Sequence, residues 1–136
     1  YFSFMGFLDG TLWQKLMGVG PALLDTVTQA QIAKADFYVE WNWLYCTAHN
    51  DLLEYLVTMG VFGAACKLLM YILPFVMYAR GKERKPEKAA VLAALVGYIG
   101  QGLFTGPYIL TYVFYIIFLG VLGAYYRMGK EKGAEA

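Results

Sequence analysis

Three apolar stretches occupy the second half of the chain, and polar segments bound them. The first, 51–79, exceeds the roughly 20 residues that a helix needs to cross a bilayer core. The other two, 89–106 and 107–126, meet at Gly106 and Pro107. A turn is expected there, because the residue before a proline avoids helical backbone angles. The pattern predicts an all-α polytopic integral membrane protein with three transmembrane helices.

The first span contains four positions at which sequence rules predict local structure. Pro74 is the predicted kink, because proline removes a backbone donor and crowds the preceding turn. Either Asn50 or Asp51 can cap the helix start, and Asp51 with Glu54 resembles a capping box, so we expect Glu54 to cap rather than to catalyse. Lys67 lies inside the span, where a charge is a functional hint. We expect its long side chain to snorkel or to pair with a further helix.

Residues 1–50 contain no long apolar run and are predicted to form an extracytoplasmic loop with short helices. The connection 80–88 holds five basic and two acidic side chains, and the tail 127–136 is also net basic. The positive-inside rule therefore places both basic segments in the cytoplasm and the loop on the opposite side. Composition agrees with a membrane protein, because only 15% of residues are charged, against about a quarter in soluble domains.

The two cysteines, Cys46 and Cys66, are 20 positions apart, which is about 30 Å along a helix. A disulfide needs Cα atoms within about 7 Å, so we expect free thiols. One histidine and two distant cysteines give no metal-ligand spacing, and neither a metal nor another cofactor nor a nucleic acid is an expected partner.

The chain is interpreted as the C-terminal part of a longer protein, because it opens with neither an initiating methionine nor the basic start of a signal peptide. Missing upstream helices are then expected partners, together with the lipid bilayer. Small residues in the spans mark positions where another helix can pack closely: Gly60, Ala64, Gly97 and Gly100.

His49 is the leading candidate for chemistry, because it is the only histidine and stands at the outer end of the first span. A neutral imidazole is a suitable general base near neutral pH. The alternative is an interfacial histidine that only forms hydrogen bonds at a helix start. Lys15 precedes a Gly-Val-Gly-Pro segment and is either a phosphate contact or a solvated lysine. Gly18 and Gly20 in that segment form either an anion-binding backbone nest or a plain turn.

The stretch 47–65 resembles the signature of the O-antigen ligase and polymerase superfamily, in which a histidine and a small polar residue precede a G-x-x-G. The matching residues are His49 and Asn50, followed by Gly60 and Gly63. The segment 18–21 is similar to the G-x-G-P of the family's large extracytoplasmic loop, and the closing helical hairpin with its Gln101 also fits. The family's important arginines have no counterpart here and are expected upstream.

The resemblance implies a metal-independent glycosyltransferase in the bacterial inner membrane, active on its extracytoplasmic face. The donor would be a glycan on a polyprenyl pyrophosphate carrier, and the acceptor a hydroxyl of a glycan, lipid or protein. His49 would be catalytic, and Asn50 would orient the acceptor, with Lys15, Gly18 and Gly20 as further substrate-binding candidates. The competing hypothesis is a membrane transporter or a non-catalytic membrane scaffold, with His49 on a proton or substrate path.

Overall fold

The structure is a computed structural model that describes residues 1–21, 23–35, 48–81, 85–105 and 109–132. Within these ranges every regular element is a helix, which confirms the predicted all-α class. The helices are α1 (Phe2–Asp9), α2 (Leu12–Met17), α3 (Leu24–Lys34), α4 (Asp51–Arg80), α5 (Pro86–Phe104) and α6 (Ile109–Lys132). The chain forms two compact units, one of Tyr1–Leu68 with Gly102–Pro107 and one of Leu69–Gln101 with Tyr108–Ala136.

In the first unit, α1 and α3 pack side by side through small and polar residues. The Ser3 and Thr28 hydroxyls are 3.2 Å apart, and the Lys34 ammonium donates to the Asp9 carboxylate at 2.8 Å. These contacts advance along both helices together, so α1 and α3 run in the same direction. Ser3 and Gly6 are the buried residues of α1, which leaves much of its apolar surface outside this seam.

The short helix α2 is fixed at its start by a capping box. The Thr11 hydroxyl accepts from the Gln14 N–H, and the Gln14 amide oxygen accepts from the Thr11 N–H. Each bond satisfies a donor that a helix end otherwise leaves unbonded. The helix ends at Gly18, whose backbone angles of φ 82° and ψ 175° turn the chain away from the helix axis.

Helix α4 is broken at Gly60, not at Pro74 as the sequence predicted. Gly60 has φ 68° and ψ −170°, a combination open essentially to glycine alone, whereas Pro74 stays within the helix. Asp51 and Lys67 are 16 positions apart, about 24 Å along a straight helix, yet their charged atoms lie 2.8 Å apart. The first arm, 51–59, therefore lies folded back beside the beginning of the second arm, 61–80.

Pro74 is accommodated in the second unit by a side chain from α6. In a regular helix the N–H of residue 74 would donate to the Met70 carbonyl, and proline has no N–H. The Tyr115 hydroxyl donates to that carbonyl instead. The rings of Tyr98 and Tyr71 pack on Tyr115 with centroids 4.5 and 6.4 Å away, so the phenol is held in place by aromatic contacts.

Two of the described helices, α4 and the part Thr111–Met128 of α6, are long and apolar enough to cross a membrane by length and composition. Both carry large apolar side chains on their surfaces, such as Phe62 and Phe114, each 61% exposed. The second arm of α4 is about 30 Å long, close to the thickness of a bilayer core. The span at 89–106, which overlaps α5, stays a prediction, and the turn at 106–107 lies outside the described residues.

Candidate functional site

His49 stands two residues before the first residue of α4, with its side chain exposed. Its φ of 50° lies in the left-handed region, which residues other than glycine seldom adopt. Such backbone conformations cost free energy and cluster at functional sites. The imidazole is thus accessible, and the chain places it at the head of the first arm in an uncommon conformation.

Asn50 forms the N-cap of α4, which decides between the two caps that the sequence allowed. Its Oδ1 accepts from the Leu53 N–H at 2.9 Å, and its Nδ2 donates to the Leu103 carbonyl at 2.9 Å. Leu103 lies in the last turn of α5, where carbonyls lack helical partners. A primary amide has two N–H groups and two lone pairs, so with respect to the described residues Asn50 retains one of each for a ligand.

Glu54 closes the same helix start from the other side. Its carboxylate accepts from the Ala48 N–H at 3.3 Å, so Glu54 does bond at the helix start, but the predicted capping box with Asp51 is wrong because Asn50 is the N-cap. The carboxylate also interacts electrostatically with His49 and Asp51. The head of α4 therefore combines an exposed imidazole, a capping amide and a half-buried carboxylate within about one helical turn.

Asp51 and Lys67 form a fully buried ion pair of 2.8 Å, and the Lys67 ammonium lies 4.7 Å from the centroid of the Tyr55 ring. The sequence predicted that Lys67 would snorkel or pair with another helix, and that prediction is wrong. Its partner belongs to the same helix, because the reversal at Gly60 brings the two arms together. Sequence rules did not predict this ion pair, because they treat so long an apolar run as one straight helix.

The Gly-Val-Gly segment binds the first arm of α4 through its backbone. The Val19 N–H donates to the Val57 carbonyl at 3.0 Å, and the Gly20 N–H donates to the Thr58 carbonyl at 2.9 Å. In an unbroken helix these carbonyls would accept from residues four positions further on. Because the helix breaks at Gly60, the backbone N–H groups that follow the break point away from these carbonyls. We call the contact of residues 18–20 with residues 57–60 the glycine junction.

Two glycines make the glycine junction sterically possible. A Cβ on Gly18 would collide with the Thr58 carbonyl, and a Cβ on Gly60 would collide with the Leu16 carbonyl. Gly60 was predicted to be a close-packing position for another spanning helix, and the backbone that approaches it is instead that of Leu16, at the end of α2, and of Gly18. At Gly97 and Gly100, a Cβ would meet no atom of the described residues within 4 Å.

The N–H groups that an anion nest would use are bonded within the protein. The Gly18 N–H donates to the Gln14 carbonyl at 2.8 Å, and those of Val19 and Gly20 donate to α4. The glycine junction lies about 10 Å along the first arm from Asn50, at 1.5 Å per residue. The structure therefore gives Gly18 and Gly20 a role in holding the loop on α4, at the opposite end of the arm from His49.

The two loop lysines differ in their surroundings. Lys34 pairs with Asp9. Lys15, in the last turn of α2, is partly exposed and makes no ion pair within the ranges that the structure describes. Of these two cations, Lys15 is the one that remains available to an anionic ligand.

The two arms of α4 also line an open apolar cavity of about 450 Å³. Its lining consists of side chains from both arms and one from α1: Phe4, Leu52, Leu53, Leu56, Val61, Ala64, Ala65 and Leu68.

Gln101 lies in the second unit, where it lines a smaller cavity of about 190 Å³ with Thr111 and Tyr115. Cys66 is a free, exposed thiol as predicted, and Cys46 lies outside the described residues.

Sequence rules did not identify Asp51 as an ion-pair partner or Leu16 as a contact of Gly60, because both depend on the reversal of α4. Comparisons of the chain with protein families, with curated proteins and with solved structures find no match.

Proposed function

We propose that the chain belongs to a membrane glycosyltransferase that takes glycans from a polyprenyl pyrophosphate carrier. The observation that supports this function best is the glycine junction. The two segments on which the resemblance rests, residues 18–21 and 49–63, are distant in sequence and bind each other through their backbones. His49 and Asn50 stand at the start of the first arm, at the end opposite to the glycine junction.

In the proposed reaction, an acceptor hydroxyl attacks the anomeric carbon of the donor sugar. The hydroxyl proton passes to His49, a new bond forms between the acceptor oxygen and the anomeric carbon, and the bond from that carbon to the pyrophosphate oxygen breaks. Asn50 orients the acceptor with its remaining N–H and lone pair. Lys15 stabilises the departing pyrophosphate.

The proposal places residues 1–50 on the extracytoplasmic side and the connection 80–88 in the cytoplasm, with three spans between the loop and the tail. Cysteines introduced at Gln29 and Lys85, both exposed, test this orientation in a background with Cys46 and Cys66 replaced by serine. An impermeant thiol reagent added to intact cells should label position 29 and spare position 85. The reverse labelling would put His49 in the wrong compartment for this chemistry.

The catalytic proposal is tested with the full-length protein, a purified lipid-linked donor and a chelator that removes divalent metals. His49→Ala should lower transfer by about 10²–10⁴-fold, the usual contribution of a general base. Thr26→Ala, at an exposed position on α3, is the matched control and should retain full activity. Transfer by His49→Ala within a few-fold of the parent would make His49 structural.

His49→Gln separates proton transfer from positioning. A glutamine amide can still form hydrogen bonds with the acceptor but cannot take its proton at neutral pH. Transfer by the glutamine variant close to that of the parent would make His49 a positioning residue, and departure of the pyrophosphate would then be the main catalytic event.

A membrane transporter is the second candidate, and two observations favour it. Transporters use interrupted helices and buried charges, and α4 has both, at Gly60 and at the Asp51–Lys67 pair. Purified protein in liposomes separates the two candidates. The transferase should convert lipid-linked donor without moving protons across the membrane, whereas a transporter should produce a solute-dependent proton or ion flux without any donor.

A further inference from the structure

The Asp51–Lys67 pair has no use in the proposed reaction as drawn, yet of the two ion pairs seen in the described part of the first unit it is the fully buried one. Both side chains are fully buried, and the atoms are 2.8 Å apart. Burying an ion pair requires removing both charges from water, and apolar residues of similar volume often give equal or greater stability. Stability alone therefore does not explain why charges occupy these positions.

The position of the pair suggests what it does. Asp51 is the first residue of α4, directly after the Asn50 cap and two positions after His49. Lys67 lies in the second arm, so the ion pair joins the beginning of the first arm to the other arm. Any movement of the first arm relative to the second moves the helix start that carries His49.

The contacts around the pair explain why charge suits this task. Both arms also line the apolar cavity with leucine, alanine and valine side chains, together with Phe4 of α1. The hydrophobic effect is non-directional, so an open apolar contact fixes the register of two helices less strictly than a polar contact does. A buried ion pair does fix register, because displacement leaves each charge without its partner in a region of low dielectric constant. The Tyr55 ring over the Lys67 ammonium restricts the lysine further.

We infer that Asp51 and Lys67 are positioning residues whose ion pair holds the first arm of α4 closed on the second and so fixes His49 and Asn50 for glycan transfer. The positioning part of this inference rests on the proposed function, whereas the closure of the arms does not. The two parts are therefore measured separately, on the full-length protein.

Arm closure is measured by spin labels on cysteines at positions 52 and 68, in a background with Cys46 and Cys66 replaced by serine. Leu52 and Leu68 line the same cavity, whereas a straight α4 would hold them about 24 Å apart. Strong spin–spin broadening is expected in the parent and should decrease in Asp51→Asn/Lys67→Met. The double variant is used because either single change leaves a buried charge without its partner.

Transfer is measured on the same double variant without labels. Its kcat should fall by about 10- to 100-fold, because displacement of a catalytic group by about 1 Å can cost that much, and KM should stay within about threefold. Lys88→Met is the matched control, since Lys88 is a buried lysine of the second unit. It should change neither the broadening nor the kcat beyond about threefold.

Unchanged spin–spin broadening in the double variant would contradict the inferred closure of the arms, whether or not glycan transfer changes. Lost broadening with an unchanged kcat would overturn the positioning part. If the double variant does not accumulate, the reversed pair Asp51→Lys/Lys67→Asp decides, because it restores the attraction with exchanged charges. Retained broadening would support the ion pair as the closing element, and lost broadening in folded protein would overturn it. Absence of transfer in the parent itself would contradict the proposed function and leave the closure result standing.

Discussion

Helix α4 contains two residues that disturb its backbone hydrogen bonds, and the protein responds differently to each. At Gly60 the helix reverses, and the carbonyls before the break accept from backbone N–H groups of the loop after α2. At Pro74 the helix continues. Proline has no N–H to donate to the Met70 carbonyl, and this carbonyl accepts from the Tyr115 hydroxyl instead. The first interruption is bonded backbone to backbone, and the second is bonded by a side chain.

This difference determines what each site tolerates. A contact between two backbones leaves no room for Cβ atoms, so Gly18 and Gly60 are both required and segments far apart in sequence become one unit. A side-chain contact leaves both backbones at ordinary distances, and its loss costs one hydrogen bond. We therefore expect the Gly60 interruption to be much less tolerant of substitution than the Pro74 interruption.

The largest expected effect is that of Gly60→Ala. Alanine must adopt backbone angles that are essentially restricted to glycine, and its Cβ collides with the Leu16 carbonyl. Together these should destabilise the fold by about 3 kcal/mol or more. The folded yield in detergent, measured by size-exclusion chromatography, should fall several-fold.

Gly97→Ala and Gly120→Ala are matched controls, because a Cβ at either position meets no described atom within 4 Å. Both lie in helices, where alanine is favoured over glycine by up to about 1 kcal/mol, so the yield should stay the same or rise. An equal loss of yield in all three variants would remove the special status of Gly60.

Gly18→Ala tests the same junction from the loop side. Its backbone angles are also essentially restricted to glycine, and its Cβ collides with the Thr58 carbonyl, so we expect a loss of about 2–3 kcal/mol. Because either change alone separates the same two backbones, the double variant with Gly60→Ala should lose clearly less than the sum of the single losses. Additive losses in thermal unfolding would mean that the two glycines act independently.

The Pro74 interruption should give a smaller and reversible effect. Tyr115→Phe leaves the Met70 carbonyl without its donor, at a cost of about 1–2 kcal/mol, whereas Tyr125→Phe should cost less than about 0.5 kcal/mol. In a Pro74→Ala background the backbone N–H of the introduced alanine can serve that carbonyl, so Tyr115→Phe should become nearly neutral. The double-mutant cycle should therefore give a coupling of about 1 kcal/mol, and zero coupling would contradict this account of Pro74.

The smallest effect concerns the α1–α3 seam. The hydrogen bond from the Lys34 ammonium, followed by that from the Gln31 amide, holds the pKa of Asp9 below its ordinary value. A lowered carboxyl pKa contributes stability above the unfolded pKa of about 3.9, and this is lost as pH falls through the lower folded pKa. Carboxyl titration by NMR should show a higher Asp9 pKa in Lys34→Met and a smaller rise in Lys15→Met. Equal rises would mean that the hydrogen bond is not the main cause.

The sequence predicted the parts of this structure that depend on local rules. The apolar runs predicted helices, and the polar residues at 50 and 51 predicted a cap, which the structure assigns to Asn50. The reversal at Gly60 was not predictable, because a straight helix and a helix that folds back have the same apolar sequence pattern. The Asp51–Lys67 pair and the glycine junction both follow from that reversal, so they were missed with it. Pro74 was predicted to kink the helix, but its effect depends on Tyr115, more than 40 positions away.

The central claim is that residues 18–20 are bonded to α4 at the Gly60 break, and hydrogen exchange of the Val19 and Gly20 amides tests it most directly. These two N–H groups donate to α4 carbonyls, so their exchange should be slow in the parent protein. In Gly60→Ala both should exchange much faster, while the amides of α6 around Tyr115 keep their protection. Exchange at Val19 and Gly20 in the parent as fast as in an unbonded loop would contradict the glycine junction, and with it the structural support for the proposed function.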